Sequence, residues 1–449
     1  MTRLIALLVC LAGLSAGAAH AIEPAFDPAA ATEAWLATMG PEATARSNAY
    51  FEGGYWIQYA GAGLTILISL IMMMLGWAKG VRAWLERTVK FYFLVAFGMG
   101  LFYFFVSSVL TFPFAWWVGF AREHEFGLAT QTFSEWFGEY LIGFAINLVV
   151  GAIFIALLYL VIRAAKSAWW IWGAGLTTLF MIAIIALAPV YISPLFNTYT
   201  PMAEGSLRDS ILHMAQANGV PADNVYVFDV SRQTNRVTAN VSGMFGTTRI
   251  SLSDTLIARG GEEGVREVMG HEIGHYVLRH TTSILVMLTA LIVVVFALTQ
   301  LLFARLTRGE RWGVRGIDDP AGLPLAFALI TFLFALATPI NNNIIRYHEH
   351  QADIFGLNAS REPVGFAQTA LLLSEYRKMR PSPLEEWFFY DHPSGYARVR
   401  MAMEWQAHET AAGRYPARPA GPPPGWRPDF VVMRESQATP EPSPAAASD

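Results

Sequence analysis

The chain has 449 residues, of which 54% are hydrophobic and only 15% charged. Soluble proteins carry roughly a quarter of their residues as Asp, Glu, Lys and Arg, so this deficit, with a mean hydropathy of +0.37, marks a membrane protein. A formal net charge of −4 offers no basic surface to a nucleic acid, and one cysteine, Cys10, excludes a thiol protease, a cysteine-ligated metal and a disulfide framework.

Residues 1–21 read as a secretory signal peptide: Arg3, an apolar run from Leu4 to Leu14, then small residues ending Ala19-His20-Ala21. Cleavage would leave Ile22 at the N-terminus and 22–54 as a periplasmic segment; an uncleaved leader would add a helix. Six later segments are long and apolar enough to span: 55–77, 91–112, 140–162, 168–191, 283–305 and 321–341. The first four form a membrane region over 55–191 and the last two a region over 283–341.

The connectors set an orientation. Lys79, Arg82, Arg87 and Lys90 lie between the first and second segments, Arg163 and Lys166 between the third and fourth, and Arg305, Arg308, Arg311 and Arg315 between the fifth and sixth. The connector between the second and third has one arginine, Arg122, against Glu123, Glu125, Glu135 and Glu139. All three basic connectors fall on one side, the cytoplasmic one. Residues 192–282 and everything after 342 fall on the other, the periplasm of a bacterial inner membrane.

Residues 192–282 read as a small soluble module. Leu207 to Ala217 has helical periodicity and stops at Asn218-Gly219; Val225 to Phe228 and Arg249 to Leu252 read as strands, with Gly243 and Gly246 between them. Gly260-Gly261-Glu262-Glu263 opens a helix with acidic residues in its first turn, running towards the fifth span. A second catalytic segment covers 342–414, and from Tyr415 to the end the Pro, Ala and Ser content reads as disorder.

The chemistry lies in His271-Glu272-Ile273-Gly274-His275, an H-E-x-x-H on a helix. Residues i and i+4 share a face, so both imidazoles reach one ion with Glu272 beside them. Such a site retains a water that the zinc acidifies, and Glu272 takes its proton. Beyond the sixth span comes Arg346-Tyr347-His348-Glu349-His350-Gln351-Ala352-Asp353. Two crossings return the chain to the side holding His271, so Glu349 can be the third ligand, giving one Zn2+ per chain. Asp353, a helical turn on, can accept a hydrogen bond from a ligand imidazole, and Arg346 can orient Glu349 or Asp353. His348 and His350 point off Glu349's face, as solvent-facing or outer-sphere groups, and His280 lies off the face of His271, as a residue of the membrane interface. Trp169, Trp170 and Trp172 read as aromatic-belt anchors.

With these residues the chain resembles the type I CAAX prenyl proteases, integral-membrane zinc endopeptidases of the gluzincin type. The marks are Pro194-Leu195-Phe196-Asn197 with Tyr199-Thr200-Pro201, Asp229-x-Ser231, Asp254-Thr255-Leu256, the His271 motif, Arg346-x-x-Glu349-x-x-Ala352-Asp353, and His392-Pro393 followed by Arg398. The resemblance implies a mainly α, polytopic bundle of six spans, or seven with the leader, around a chamber, with a small α+β catalytic module. It also implies His392 and Arg398 near the oxyanion or the metal ligands, and a polypeptide substrate laid along an edge strand. The family's Asn-Ala pair on that strand stands here as Thr238-Ala239, followed by Asn240, so a side-chain amide contact is replaced while the main-chain contacts remain. The expected function is hydrolysis of membrane-associated or exported proteins, with membrane lipid as the other partner. The alternatives are an intramembrane-cleaving metalloprotease, disfavoured because the motif precedes its span, and an idle scaffold or transporter, disfavoured because ligands and base are all present.

Overall fold

The computed structural model describes residues 25–242 and 248–438. The leader with Cys10, the glycines Gly243 and Gly246, and the final residues of the expected tail lie outside the described residues.

Among the described residues, five unbroken helical stretches are long and apolar enough to cross a membrane: Gly40–Met74, Tyr92–Glu125, Phe133–Leu195, His280–Leu306 and Pro320–Ser360. Six segments were expected. The difference is that 140–162 and 168–191 run together in the third stretch. Within it, Lys166 takes φ 52° and ψ −116° between the helices Phe133–Ala165 and Trp169–Leu187. Phe154 of one meets Phe180 of the other with ring centroids 4.9 Å apart, and Leu158 lies against Gly173, so the two run side by side and antiparallel.

The helices in chain order are α1 Pro28–Ala37, α2 Gly40–Met74, α3 Trp77–Thr88, α4 Tyr92–Trp116, α5 Phe133–Ala165, α6 Trp169–Leu187, α7 Ser206–Ala217, α8 Asp254–Val277, α9 His280–Leu306, α10 Leu323–Ser360, α11 Pro363–Leu373, α12 Pro383–Phe389, α13 Gly395–Ala411 and α14 Asp429–Ala438. The basic connectors meet at one end of the bundle. On α3, Arg82 forms a buried ion pair with Asp319, and Glu86 pairs with Arg315. Arg163 lies 4.6 Å over the ring of Tyr92, whose hydroxyl donates to the Asp318 carbonyl. At the opposite end, Arg236 of the soluble module pairs with Glu123 at 2.8 Å, and Tyr50 of α2 donates to the same carboxylate at 2.6 Å. Trp169 departs from the belt expected for it: it is 2% exposed, donates to Gln300 and packs on Phe296, because α6 turns this indole towards α9 rather than towards lipid.

The module contains a four-stranded sheet of order β1-β2-β4-β3, with β1 Tyr199–Pro201, β2 Val225–Phe228, β3 Ala239–Ser242 and β4 Arg249–Ser253. Only β2 and β4 were legible as strands; β1 and β3 are edge strands of three and four residues, and the alternation of Ala239-Asn240-Val241-Ser242 is too short to announce one. β3 runs antiparallel to β4, with Ala239 opposite Leu252. Ser253 ends β4 and caps the first stretch of α8, its hydroxyl accepting from the Leu256 amide at 3.1 Å; the helical run that carries His271 opens after Gly261, at the glycine pair where it was expected. Gly261, at φ 63°, is a kink within α8. The family-type residues Asn197, Asp229, Ser231 and Asp254 serve architecture: Asp229 accepts from the Thr198 amide at 2.8 Å and Asp254 accepts from the amide and hydroxyl of Ser231.

The segment from Tyr415 is ordered over most of its described length, against the disorder expected there. Trp426 stands edge-on to Trp35 with centroids 5.0 Å apart, Phe430 is 1% exposed, and Asp429 pairs with Arg259 at 2.6 Å. Its few apolar residues are spaced among prolines, so no helical period announces them, yet Tyr415, Phe430 and Val431 are buried.

Candidate metal centre

Two helices from distant parts of the chain carry the centre, and two glycines let them touch. At the crossing of α8 and α10, a Cβ on Gly356 would stand 2.9 Å from the His271 amide nitrogen, and one on Gly270 would stand 3.0 Å from the Gly356 carbonyl oxygen. Only paired glycines allow backbones that close, which brings Glu349, two turns before Gly356, to the imidazoles of α8.

His271, His275 and Glu349 each direct one ligand atom into a space where those atoms lie within 4.8 Å of one another. The separations are 3.0 Å between the two Nε2 atoms, 3.3 Å from His271 Nε2 to Glu349 Oε2 and 3.6 Å from His275 Nε2 to Glu349 Oε1. A tetrahedron with metal bonds of about 2.0–2.1 Å has edges of about 3.3 Å, so the three atoms stand where zinc would require them. Glu349 Oε2 is also buried without a hydrogen-bond donor among the described residues, an acceptor that a cation would satisfy. The residues fit one zinc ion.

Around them the expected residues are distributed as follows. Asp353, fully buried, accepts from His271 Nδ1 at 2.8 Å, which leaves Nε2 free to ligate. Arg398 grips the same carboxylate through Nε at 3.0 Å and Nη2 at 2.6 Å. His392 Nε2 lies 3.2 Å from Glu349 Oε2. Thr238 and Ala239 line a cavity of about 200 Å³ with His271, Glu272, His392 and Arg398. Asn240, paired to Ser251 further along β3, is not among the lining residues.

Two expectations need correction. Arg346 orients neither Glu349 nor Asp353: it donates to the carbonyls of Glu386 and Tyr390, the latter at 3.0 Å, and to Asn343. A helical side chain leans towards its own N-terminus, which carries this guanidinium away from Asp353 and onto the segment leading to His392. His280 is not an interfacial residue. Arg279 takes a left-handed φ of 56°, ends α8 and turns the chain, so His280 folds back with its Nδ1 3.0 Å from His275 Nδ1. Of the two places expected for His348 the outer sphere is the one it takes: it is 2% exposed, donating from Nδ1 to the Ile344 carbonyl and accepting from Ser283 at 2.8 Å, with its ring edge-on to His280. His350 is exposed.

Electrostatics follow from burial. Burial raises the Glu272 carboxyl above its usual range, against the pull of His271 and His275, which makes it a stronger base. Burial, then the nearby Arg377, lowers His392, so its imidazole is neutral at neutral pH. Arg377 lines the same cavity and was not singled out from sequence, since a lone arginine in a helix-to-loop stretch carries no motif.

The chain is similar to known proteins over most of its length. Residues 201–406 match the family model described as peptidase family M48, and residues 30–198 match the one described as CAAX prenyl protease N-terminal, five membrane helices. A Bacillus subtilis protein named uncharacterized metalloprotease YhfN is 28% identical over 368 residues, 81% of this chain and 86% of its own. CAAX prenyl protease 1 of Saccharomyces cerevisiae is 25% identical over 313 residues, 64% of this chain and 68% of its own. The crystal structure of S. mikatae Ste24p superposes with a TM-score of 0.67 at 20% identity, over 84% of this chain and 96% of that one, and shares the fold.

Proposed function

The chain belongs to peptidase family M48 and is a membrane zinc metalloendopeptidase of the CAAX prenyl protease type; from this we propose that it cleaves exported or membrane-associated polypeptides on the periplasmic face of an inner membrane. The observation that carries the reading is the convergence of His271, His275 and Glu349 beside Glu272, at tetrahedral-edge distances, at the wall of a cavity bordered by the start of the edge strand β3.

Zinc bound there would supply a Lewis acid and a readily ionised water. The remaining steps belong to the protein. Glu272, its basicity raised by burial, accepts the proton of the attacking water and delivers it to the leaving amine. His392 faces the developing oxyanion, a role supported by its position on the cavity wall 3.2 Å from Glu349. Arg398 acts through Asp353, holding it for His271, and so positions rather than touches substrate. β3, outermost in the sheet among the described residues, offers its outer edge to an extended substrate near Thr238 and Ala239.

The bundle is read as six crossings, because Phe133–Leu195 folds back on itself at Lys166. The orientation rests on the meeting of the basic connectors at the end opposite the catalytic module. A site on that face is separated from cytosolic prenylated peptides, which makes them poor candidates for the natural substrate.

The reading is tested with a quenched peptide and bound-zinc analysis. Glu272→Gln should lose at least ~10²-fold in turnover and keep its zinc, whereas Glu349→Ala should lose both. Near-normal turnover in Glu272→Gln would overturn the mechanism. For orientation, cysteine at Glu204 should react with an impermeant thiol reagent in cells with a permeabilised outer membrane, and cysteine at Arg308 should not; the reverse pattern would put the site in the cytoplasm.

A further inference from the structure

One turn before His271 on the same face of α8 stands Glu267, and nothing in the hydrolytic chemistry above uses it. Its side chain lines the cavity beside His271 yet is 1% exposed overall, and its Oε1 has no hydrogen-bond partner among the described residues. Thr369 of α11 lines the same cavity, 3% exposed, and its Oγ1 is likewise without a partner there. Two buried acceptors with no donor are costly in a folded protein, and a carboxylate more so than a hydroxyl. The cation nearest in function, Arg398, directs its hydrogen bonds to Asp353, at 3.0 and 2.6 Å. Val237, Leu256, Val268 and Leu373 form an aliphatic part of the cavity wall, and Arg377 shares the lining with the residues of the metal centre. The cavity therefore has one aliphatic side and two oxygen acceptors without a partner among the described residues, and it opens beside the groups that hydrolyse the peptide bond.

A side chain with an aliphatic stem and a donor-rich cationic head has the matching shape and chemistry. We infer that this cavity is the specificity pocket for a lysine or arginine on the substrate residue next to the scissile bond, with Glu267 as its counter-ion and Thr369 as its second acceptor. The inference rests on the peptidase reading and adds the substrate class to it. The stem lies along Val237, Leu256 and Val268, and the head meets the carboxylate. Burial raises the free Glu267 carboxyl to about 7, against the pull of Arg398, and an entering cation would hold it ionised.

The test uses the zinc-loaded full-length enzyme and quenched peptides identical except at the two residues flanking the scissile bond, which carry Lys, norleucine or Glu. For wild type, kcat/KM with Lys at one of these positions should exceed norleucine by about tenfold or more, as one charged hydrogen-bonded contact supplies, and Glu should be poorest. In Glu267→Gln the Lys-to-norleucine ratio should fall to near one. In Glu267→Lys the preference should turn towards Glu, and in Thr369→Val the ratio should fall part of the way. Zinc content and melting temperature of each variant identify any that fail to fold; the Thr369→Val ratio then carries the test. Equal cleavage of Lys and norleucine peptides by wild type at both positions would overturn the inference, as would a ratio that survives Glu267→Gln. Hydrolysis persisting in Glu272→Gln would instead count against the peptidase reading itself.

Discussion

His280 Nδ1 lies 3.0 Å from His275 Nδ1, so the imidazole that begins α9 stands directly behind a metal ligand of α8. One of two facing nitrogens must carry the hydrogen. If His275 ligates through Nε2, its Nδ1–H is the donor and His280 the acceptor, which sets the ligand's tautomer and ring plane. Replacing His280 with Ala should raise the zinc dissociation constant by about 10–100-fold, the usual cost of removing a ligand's supporting partner, as read by chelator competition. An unchanged constant would mean that His275 is oriented by packing alone.

The glycine crossing makes a sharper demand. Gly356→Ala would press a methyl group to within 2.9 Å of the His271 amide nitrogen, where no flexible side chain can give way. The helices must separate, and Glu349 moves with α10. Zinc affinity should fall at least tenfold, alongside a cost of about 1–3 kcal/mol in stability from overpacking. Gly425→Ala, on the C-terminal strap, has nothing within 4 Å of its added carbon and serves as a control for affinity, though its φ of 76° carries its own strain.

Glu267 links stability to pH. Its buried carboxyl titrates at about 7 in the folded protein, against about 4.3 in an unfolded chain. Between these values the folded state binds more protons than the unfolded one, so the stability it contributes is greatest at the acid end and is lost as pH rises through 7. Glu267→Gln lacks this loss. Melted side by side in detergent, the variant should match wild type near pH 5 and exceed it at pH 8, by on the order of 3 kcal/mol. Parallel curves from pH 5 to 8 would show that Glu267 titrates normally.

Arg259 ties the C-terminal strap to the catalytic module. It donates to Glu375 at 2.9 Å, to Asp429 at 2.6 Å and to the Asn235 carbonyl, and Glu375 is 7% exposed. Arg259→Ala would leave that buried carboxylate to the longer pair with Arg434 at 3.6 Å and beside Asp429, a change that costs about 1–3 kcal/mol. Proteolysis of the segment after Tyr415 should then proceed faster than in wild type. Equal proteolysis would show that Trp426 and Phe430 hold the strap without the ion pairs.

What could be read from the sequence alone is what depends on local order. Apolar length announces spans, connector charge announces sidedness, and the i, i+4 spacing of His271 and His275 puts two imidazoles on one helix face wherever that helix lies. Counting two crossings between His275 and Glu349 brings both to one side of a membrane, because a membrane allows a helix only two ends. Contacts made across the chain had no such signal. Nothing in the spacing of His280 shows that Arg279 reverses the chain, since a left-handed turn is a matter of one residue's backbone. Nothing marks Gly270 and Gly356 as partners 86 positions apart, or Glu267 and Thr369 as neighbours in one cavity. The strap after Tyr415 looked structureless because it is stable only against a surface folded elsewhere. The residue types and their faces were therefore determined by sequence. The tertiary structure alone decided which faces meet and how closely, because close packing depends on the shapes of both partners and neither segment encodes the other.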